Sequence, residues 1–305
     1  MKRYIKLLLI FIFIIFLSGC TKILKDDENK RVVFEKTGQG LTENIVCQPT
    51  NKKVVELYKK NNIKIDVLPK CDQFKLTEEK YEGIWTSLFV KPLVWLILKL
   101  GVFVNNYGIS LIIVSILIRL VLYPVTKGTA LQSENLKKAK PELDRIEKKY
   151  KDKKSQEDVM KKSQEIMLIY KKNNINPLSG CLFGFIQLPL FFAFLEAINR
   201  TPAIFEEDLL SFQLGTTPYI GIQNGQFQYL ILMILLLSIT YFAFKLNKTA
   251  AVNNESQKQM EFVSKIMIFI IGFASLNFST AISIYWIASN TFTIIQNKIV
   301  QRSKK

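Results

Sequence analysis

The chain has 305 residues, 49% of them hydrophobic, and its 42 Lys and Arg against 25 Asp and Glu leave a formal charge of +17. It has no histidine, which excludes Ser-His and Cys-His nucleophile pairs and His-ligated metals, and with them most hydrolase and metalloenzyme chemistry. The apolar residues are gathered into long blocks separated by charged ones, the pattern of membrane spans, and so basic a surface points to anionic lipid or RNA without choosing between them.

Residues 1–19 read as a secretory signal: Lys2, Arg3 and Lys6 precede an apolar run from Leu7 to Leu17 and a small-residue end. The ending Leu17-Ser18-Gly19-Cys20 resembles the bacterial lipobox, which implies cleavage before Cys20, lipidation of that cysteine and a mature N-terminus tethered outside the cell. Residues 20–82 are polar and mixed in charge, without strong periodicity, and read as a small extracytoplasmic region with disordered stretches. The four cysteines, Cys20, Cys47, Cys71 and Cys181, are far apart and form no CxxC pair, so no metal site is expected. Cys47 and Cys71 form a disulfide if the compartment is oxidising, and spacing alone leaves that open.

Residues 83–106 are apolar but interrupted by Lys91, Pro92 and Lys99, with Trp85 and Trp95. That pattern suits an amphipathic helix in the outer interface better than a span. A crossing here would also put the lysine-rich stretch after Val125 outside, against the positive-inside rule.

Residues 107–125 form the first span and carry Arg119 well inside it. An arginine near mid-bilayer costs at least about 2.5–3.5 kcal/mol on insertion scales, so it faces protein or water. Pairing and snorkelling compete with a wet cavity, but the only acid in a later apolar run is Glu196, close to that run's end, which favours the cavity. Ser115, four residues earlier, shares the helical face of Arg119.

Residues 126–176 read as a cytoplasmic helical hairpin. Leu136, Leu143, Ile146 and Tyr150, then Val159, Ile166, Met167 and Tyr170, recur near helical spacing on either side of a polar break at Asp152 to Lys154. Four further spans are expected at 177–198, 227–246, 262–278 and 281–300, with an external loop 199–226, a cytoplasmic loop 247–261 and a basic cytoplasmic tail 301–305. Five spans from an external N-terminus satisfy the charge rule at both ends. The expected fold class is an all-α polytopic membrane protein, a five-span helical bundle with a cytoplasmic hairpin and an outer interfacial amphipathic helix.

The stretches ILIRLVLYPVTKGTALQ, KKYKDKKSQEDVMKKSQEIMLIYKKNNINPLSGC, FIQLPLFFAF and SIYWIASNTFTIIQ occur in this order, and together they resemble the YidC/Oxa/Alb membrane protein insertases over roughly residues 84 to 300. The chain departs from the usual pattern at Leu182-Phe183, where many relatives have proline, and at Phe278-Ser279-Thr280-Ala281, where a proline-and-glycine turn is common. The resemblance implies a hydrophilic groove open to cytoplasm and lipid and closed outside. Arg119 takes the place of the groove arginine, and Gln187, Trp286, Ser289 and Asn290 lie near it. Helical spacing agrees, since Trp286, Ser289, Asn290 and Thr293 fall on one face.

The implied mechanism draws a substrate's polar tail to Arg119 while its apolar segment slides past Phe191, Phe192 and Trp286 into lipid. Nascent membrane proteins and membrane lipids are the implied partners, with the Sec translocon, the ribosome and the signal recognition particle pathway as candidates. DNA is not expected, the location is a bacterial plasma membrane, and no cofactor is needed. No GxxxxGK[ST] motif occurs, and nothing pairs a nucleophile with a base, so an enzyme is not expected. The rival readings are a small-anion transporter or channel that binds its ion at Arg119, and a lipoprotein that only scaffolds a complex.

Overall fold

The computed structural model describes residues 21–76, 81–153, 155–176, 179–246 and 254–302, with backbone alone at 179–185, 254–261, 263 and 301. The lipobox with Cys20 lies outside the described residues, and the side chain of Cys181 does too. The chain divides into two compact units, and the boundaries between them fall inside helices: one comprises 1–117, 188–236 and 273–288, the other 118–187, 237–272 and 289–305.

In the first unit, residues 21–76 are folded rather than disordered. A short antiparallel pair, β1 (Val33–Phe34) and β2 (Gln39–Gly40), stands beside helix α1 (Lys52–Lys60), whose N-cap Asn51 accepts from Lys53 N. Leu24, Val32, Leu41, Ile45, Val54, Tyr58 and Ile65 close a core, joined by Phe205 from the 199–226 loop. That contact is why periodicity gave no sign of order here: the core is shared between segments far apart in sequence. Cys47 and Cys71 are joined by a disulfide with Cα atoms 4.9 Å apart.

Further backbone bonds tie residues 21–76 to the 199–226 loop. Val46 N donates to Arg200 O at 3.0 Å and Thr217 N to Thr37 O at 2.8 Å. Gly38 has φ +74°, and a Cβ there would lie 2.6 Å from Thr217 Oγ1, so the join requires glycine on both counts.

Helix α2 (Thr86–Val104) begins with a π-helical turn and ends at Asn105, whose φ of 54° is the left-handed stop that polar residues tolerate. It is long and apolar enough to cross a membrane, with a mean hydropathy of 1.9, so its length and composition fit a span as well as the expected interfacial helix. Helix α3 (Tyr107–Val121) follows after a turn so tight that a Cβ on Gly101 would meet the Tyr107 ring at 2.1 Å.

At Leu122 the chain bends by 70° into α4 (Tyr123–Lys149), with Pro124 in its first turn, where a missing N–H costs nothing. The first hairpin helix therefore starts at 123 and not at 126. Helix α5 (Gln156–Lys172) starts at Ser155, whose hydroxyl accepts from Asp158 N. In the second unit α4 and α5 pack through Ala139, Ile146, Tyr150, Ile166, Tyr170 and Ile175, with Leu136, Leu143 and Ile169 at the edge. Val159 and Met167, expected in this stripe, are 54% and 44% exposed. The register of α5 carries 166, 169 and 170 inward and leaves these two on the outer face.

The later helices are α6 (Ser179–Asn199), α7 (Gln228–Leu246), α8 (Asn254–Asn277) and α9 (Thr280–Arg302). Between α6 and α7 lies a two-residue hairpin, β3 (Asp208–Leu209) with β4 (Phe212–Gln213). Thr216 O receives both Thr280 N, at 3.0 Å, and Thr280 Oγ1, at 2.6 Å, so the 199–226 loop covers the turn between α8 and α9.

Among the described residues, α2 and α7 have the length and composition of complete spans, α3 with α4 qualifies as one bent span, and Ile186–Asn199 and Ser264–Asn277 are shorter apolar helices. The protein is predominantly helical and carries apolar membrane-type helices.

Candidate functional site

Arg119 is 1% exposed, near the C-terminal end of α3 in the second unit. Its Nε donates to Ser289 Oγ at 2.7 Å, and its Nη2 donates to Gln187 Oε1. Gln187 comes from α6 and Ser289 from α9, so three apolar helices each bring one polar side chain to this point. Both of these acceptors are neutral, and together they orient the guanidinium.

The polar character continues along α9. Ser289, Asn290, Thr293, Gln296 and Asn297 are all buried, and their spacing puts them on one helical face. Thr293 Oγ1 bonds back to Ser289 O at 3.0 Å, and Gln296 Nε2 donates to Thr126 Oγ1 at 2.8 Å. Thr126 and Thr129 are buried in the first turns of α4, and Thr129 Oγ1 donates to Thr126 O at 2.7 Å. Gln187 Nε2 is buried with no hydrogen-bond partner among the described residues. Such groups are rare unless they serve water or a ligand. The second unit thus holds a polar cluster around one arginine on otherwise apolar helices.

The expected site residues Ser115, Phe191, Phe192 and Trp286 belong to the first unit. In the first unit, Phe191 meets Trp286 edge to face with ring centroids 5.3 Å apart, and also contacts Phe192 and Phe278. Phe192 is 43% exposed. Ser115 is buried, but its hydroxyl donates at 2.6 Å to the Leu111 carbonyl of its own helix, the usual way a serine is satisfied in an apolar helix.

Glu196 belongs to a different buried network in the first unit, one that sequence reasoning missed. Arg200 donates Nη1 to Glu196 Oε1 at 3.1 Å, Nη2 to Glu82 Oε2 at 2.7 Å, and Nε to Asn44 O at 2.6 Å. Trp85 Nε1 also donates to Glu196 at 3.0 Å, and Lys91 Nζ lies 3.9 Å from Glu82. Two cations and two carboxylates balance here. The i,i+4 spacing of Glu196 and Arg200 is the signal that was available in the sequence.

The α4–α5 hairpin is rich in lysine, and several of its charges are paired. Lys149 Nζ and Tyr150 Oη both donate to Glu165 Oε1, at 2.6 and 2.8 Å, and these bonds hold the Glu165 carboxyl below the usual carboxylate range. Lys162 pairs with Glu147 at 3.0 Å and Lys172 with Glu142 at 3.0 Å.

A helical membrane protein that keeps a hydrogen-bonded arginine among apolar helices is the class these features define. The sequence profile of the family described as 60Kd inner membrane protein matches residues 99–305. Membrane protein insertase YidC of Oceanobacillus iheyensis is 35% identical over 72% of this chain and 85% of its own length. Membrane protein insertase YidC 2 of Bacillus anthracis is 34% identical over 73% and 83%. Membrane protein insertase MisCA of Bacillus subtilis is 34% identical over 71% and 79%. The chain belongs to this bacterial membrane protein family, the YidC/Oxa group. The small-anion carrier reading finds no support among relatives that are each named an insertase.

Proposed function

We propose that the chain is a membrane protein insertase, working on nascent membrane proteins through the polar cluster around Arg119. The observation that carries this is a buried guanidinium held by Gln187 and Ser289 on three apolar helices. Keeping a cation there has a cost, and interhelical hydrogen bonds recover only about 0.6 kcal/mol each on average. A role in substrate handling accounts for that cost. Acidic or polar residues of a short translocated tail are attracted to Arg119, more strongly in a partly dehydrated site than in bulk water. The apolar segment passes Phe191, Phe192 and Trp286 into lipid, and its partition supplies the driving force.

This reading includes a five-span topology with an external N-terminus lipidated at Cys20, a cytoplasmic C-terminus and α2 lying in the outer interface. The lysine-rich hairpin is the element that meets arriving chains. The ribosome, the signal recognition particle pathway and the Sec translocon are its candidate partners, through charge that rRNA phosphate would attract.

The test is insertion of a single-span protein with a short acidic tail into liposomes holding the purified chain, scored by protease protection. Arg119→Ala is expected to lower insertion about tenfold or more, as loss of one charged contact worth about 1.5–3 kcal/mol would, and Arg119→Lys to restore most of it. Equal insertion by all three would reduce Arg119 to a structural role. No insertion above empty liposomes, where a known insertase works, would end the functional reading. The topology is checked separately. With cysteines at Ile84 and Asn105 in right-side-out vesicles, a membrane-impermeant maleimide should label both ends of α2, and protection of one end would make α2 a span.

A further inference from the structure

Among the described residues, Leu210 is the most exposed large apolar residue, 93% exposed, and it has φ 56°. It is the first of two residues joining β3 to β4, paired Asp208 with Gln213 and Leu209 with Phe212. Positive φ at that turn position favours glycine, and a bulky leucine there is an outlier. The left-handed backbone holds the leucine side chain outward at a steric cost that is the same in any solvent, and it is the exposed apolar side chain that calls for a surrounding other than water.

The hairpin's position says which. Its base is seated on the N-terminal ends of two apolar helices, all within the first unit. Beside α3, Asn106 Nδ2 donates to Asp208 O at 2.9 Å, and a Cβ on Gly108 would lie 3.0 Å from Leu209 Cβ. Beside α7, Gln228 Nε2 donates to Ser211 O at 3.4 Å, and Gln213 N donates to Tyr229 Oη at 3.2 Å. The turn therefore stands next to the first residues of α7, where Phe227, Leu230 and Ile231 are 72%, 45% and 66% exposed. Of the flanking acids, Glu207 accepts from Tyr107 N at 3.1 Å and Glu206 from Thr50 Oγ1 at 2.6 Å, so these two carboxylates are directed into protein contacts, while Asp208, at the base of the hairpin opposite Gln213, is exposed and keeps that end on the water side of the tip.

We propose that the 208–213 hairpin is a membrane-seated finger, with Leu210 inserted among the lipids at the level where α3 and α7 enter the bilayer. The occupant of its apolar tip is lipid, continuous with the lipid covering Phe227 and Ile231. The finger holds the folded external segments at the membrane surface. This inference rests on the reading of α3 and α7 as spans.

The test places a nitroxide at Leu210→Cys, at Phe227→Cys and at Asp26→Cys, an exposed position of the external unit. The chain is reconstituted alone in phosphatidylcholine–phosphatidylglycerol liposomes, and the signal of the identically treated parent is subtracted. The ratio of collision with oxygen to collision with a water-soluble nickel complex reports depth. At 210 it is expected to match 227 and to exceed 26 several-fold. A water-like ratio at 210 with a lipid-like ratio at 227 overturns the finger while leaving the spans intact. Water-like ratios at both overturn the span reading and the finger with it.

Discussion

Arg119 and Arg200 are both buried guanidinium groups next to apolar helices, and their neighbours separate their roles. Arg119 has Gln187 and Ser289, which are neutral, whereas Arg200 lies between the carboxylates of Glu82 and Glu196 and against the carbonyl of Asn44. The second arrangement is a charge-balanced structural network. Removing one partner of a buried ion network leaves uncompensated charge, a loss of about 3–5 kcal/mol. Arg200→Met is therefore expected to lower the unfolding temperature of the detergent-solubilised chain by several degrees, read by scanning fluorimetry. Arg119→Ala is expected to alter insertion more than melting, and an unchanged midpoint for Arg200→Met would refute the structural assignment.

At the scale of elements, the α4–α5 hairpin combines an apolar seam with crossing ion pairs on its surface. Glu165 is held in its charged form mainly by the Lys149 hydrogen bond, with Tyr150 adding to it. A carboxyl whose folded pKa is depressed contributes stability that is present above its unfolded pKa and is lost as pH falls through the folded value. Amide exchange in α4 and α5, corrected for its intrinsic pH dependence, should therefore accelerate below the usual carboxylate range. Glu165→Gln should abolish that acid-side step. Glu157→Gln, on an exposed i,i+4 pair with Lys161, should leave it in place, because such pairs contribute little.

For the whole molecule, residues 21–76 and the 199–226 loop form one body assembled from two distant stretches of chain. The Cys47–Cys71 disulfide closes a loop across a sequence separation of 24, and Phe205 completes the core from the other stretch. Closing a loop of that size stabilises by about 2–4 kcal/mol, chiefly by restricting the unfolded chain. Reduction, or Cys47→Ser with Cys71→Ser, should lower the melting temperature of this body and open residues 21–76 to protease. If the Arg119 cluster, in the other unit, carries insertion as proposed, the same preparation should keep it. Loss of insertion on reduction, with the chain still folded, would show that the disulfide-linked body takes part in transfer.

Much of the architecture was open to reading from sequence because it depends on local composition. Long apolar runs, lysine-rich stretches and one arginine within a span gave the helical membrane class, the hairpin and the choice of Arg119 as the residue to examine. The spacing of Ser289, Asn290 and Thr293 already put them on one face of the last helix. What needed tertiary structure were the contacts between residues far apart in the chain. Gln187 reaches Arg119 over 68 residues and Ser289 over 170, Arg200 engages Glu82 over 118, and Phe205 enters a core built mostly by residues 24–65. Periodicity reports which face of a helix is apolar, but not which helix that face meets. For the same reason Val159 and Met167 were expected in the hairpin seam: the stripe is readable from spacing, whereas the register that buries Ile166 and Tyr170 and leaves those two outside is decided only when α4 packs against α5.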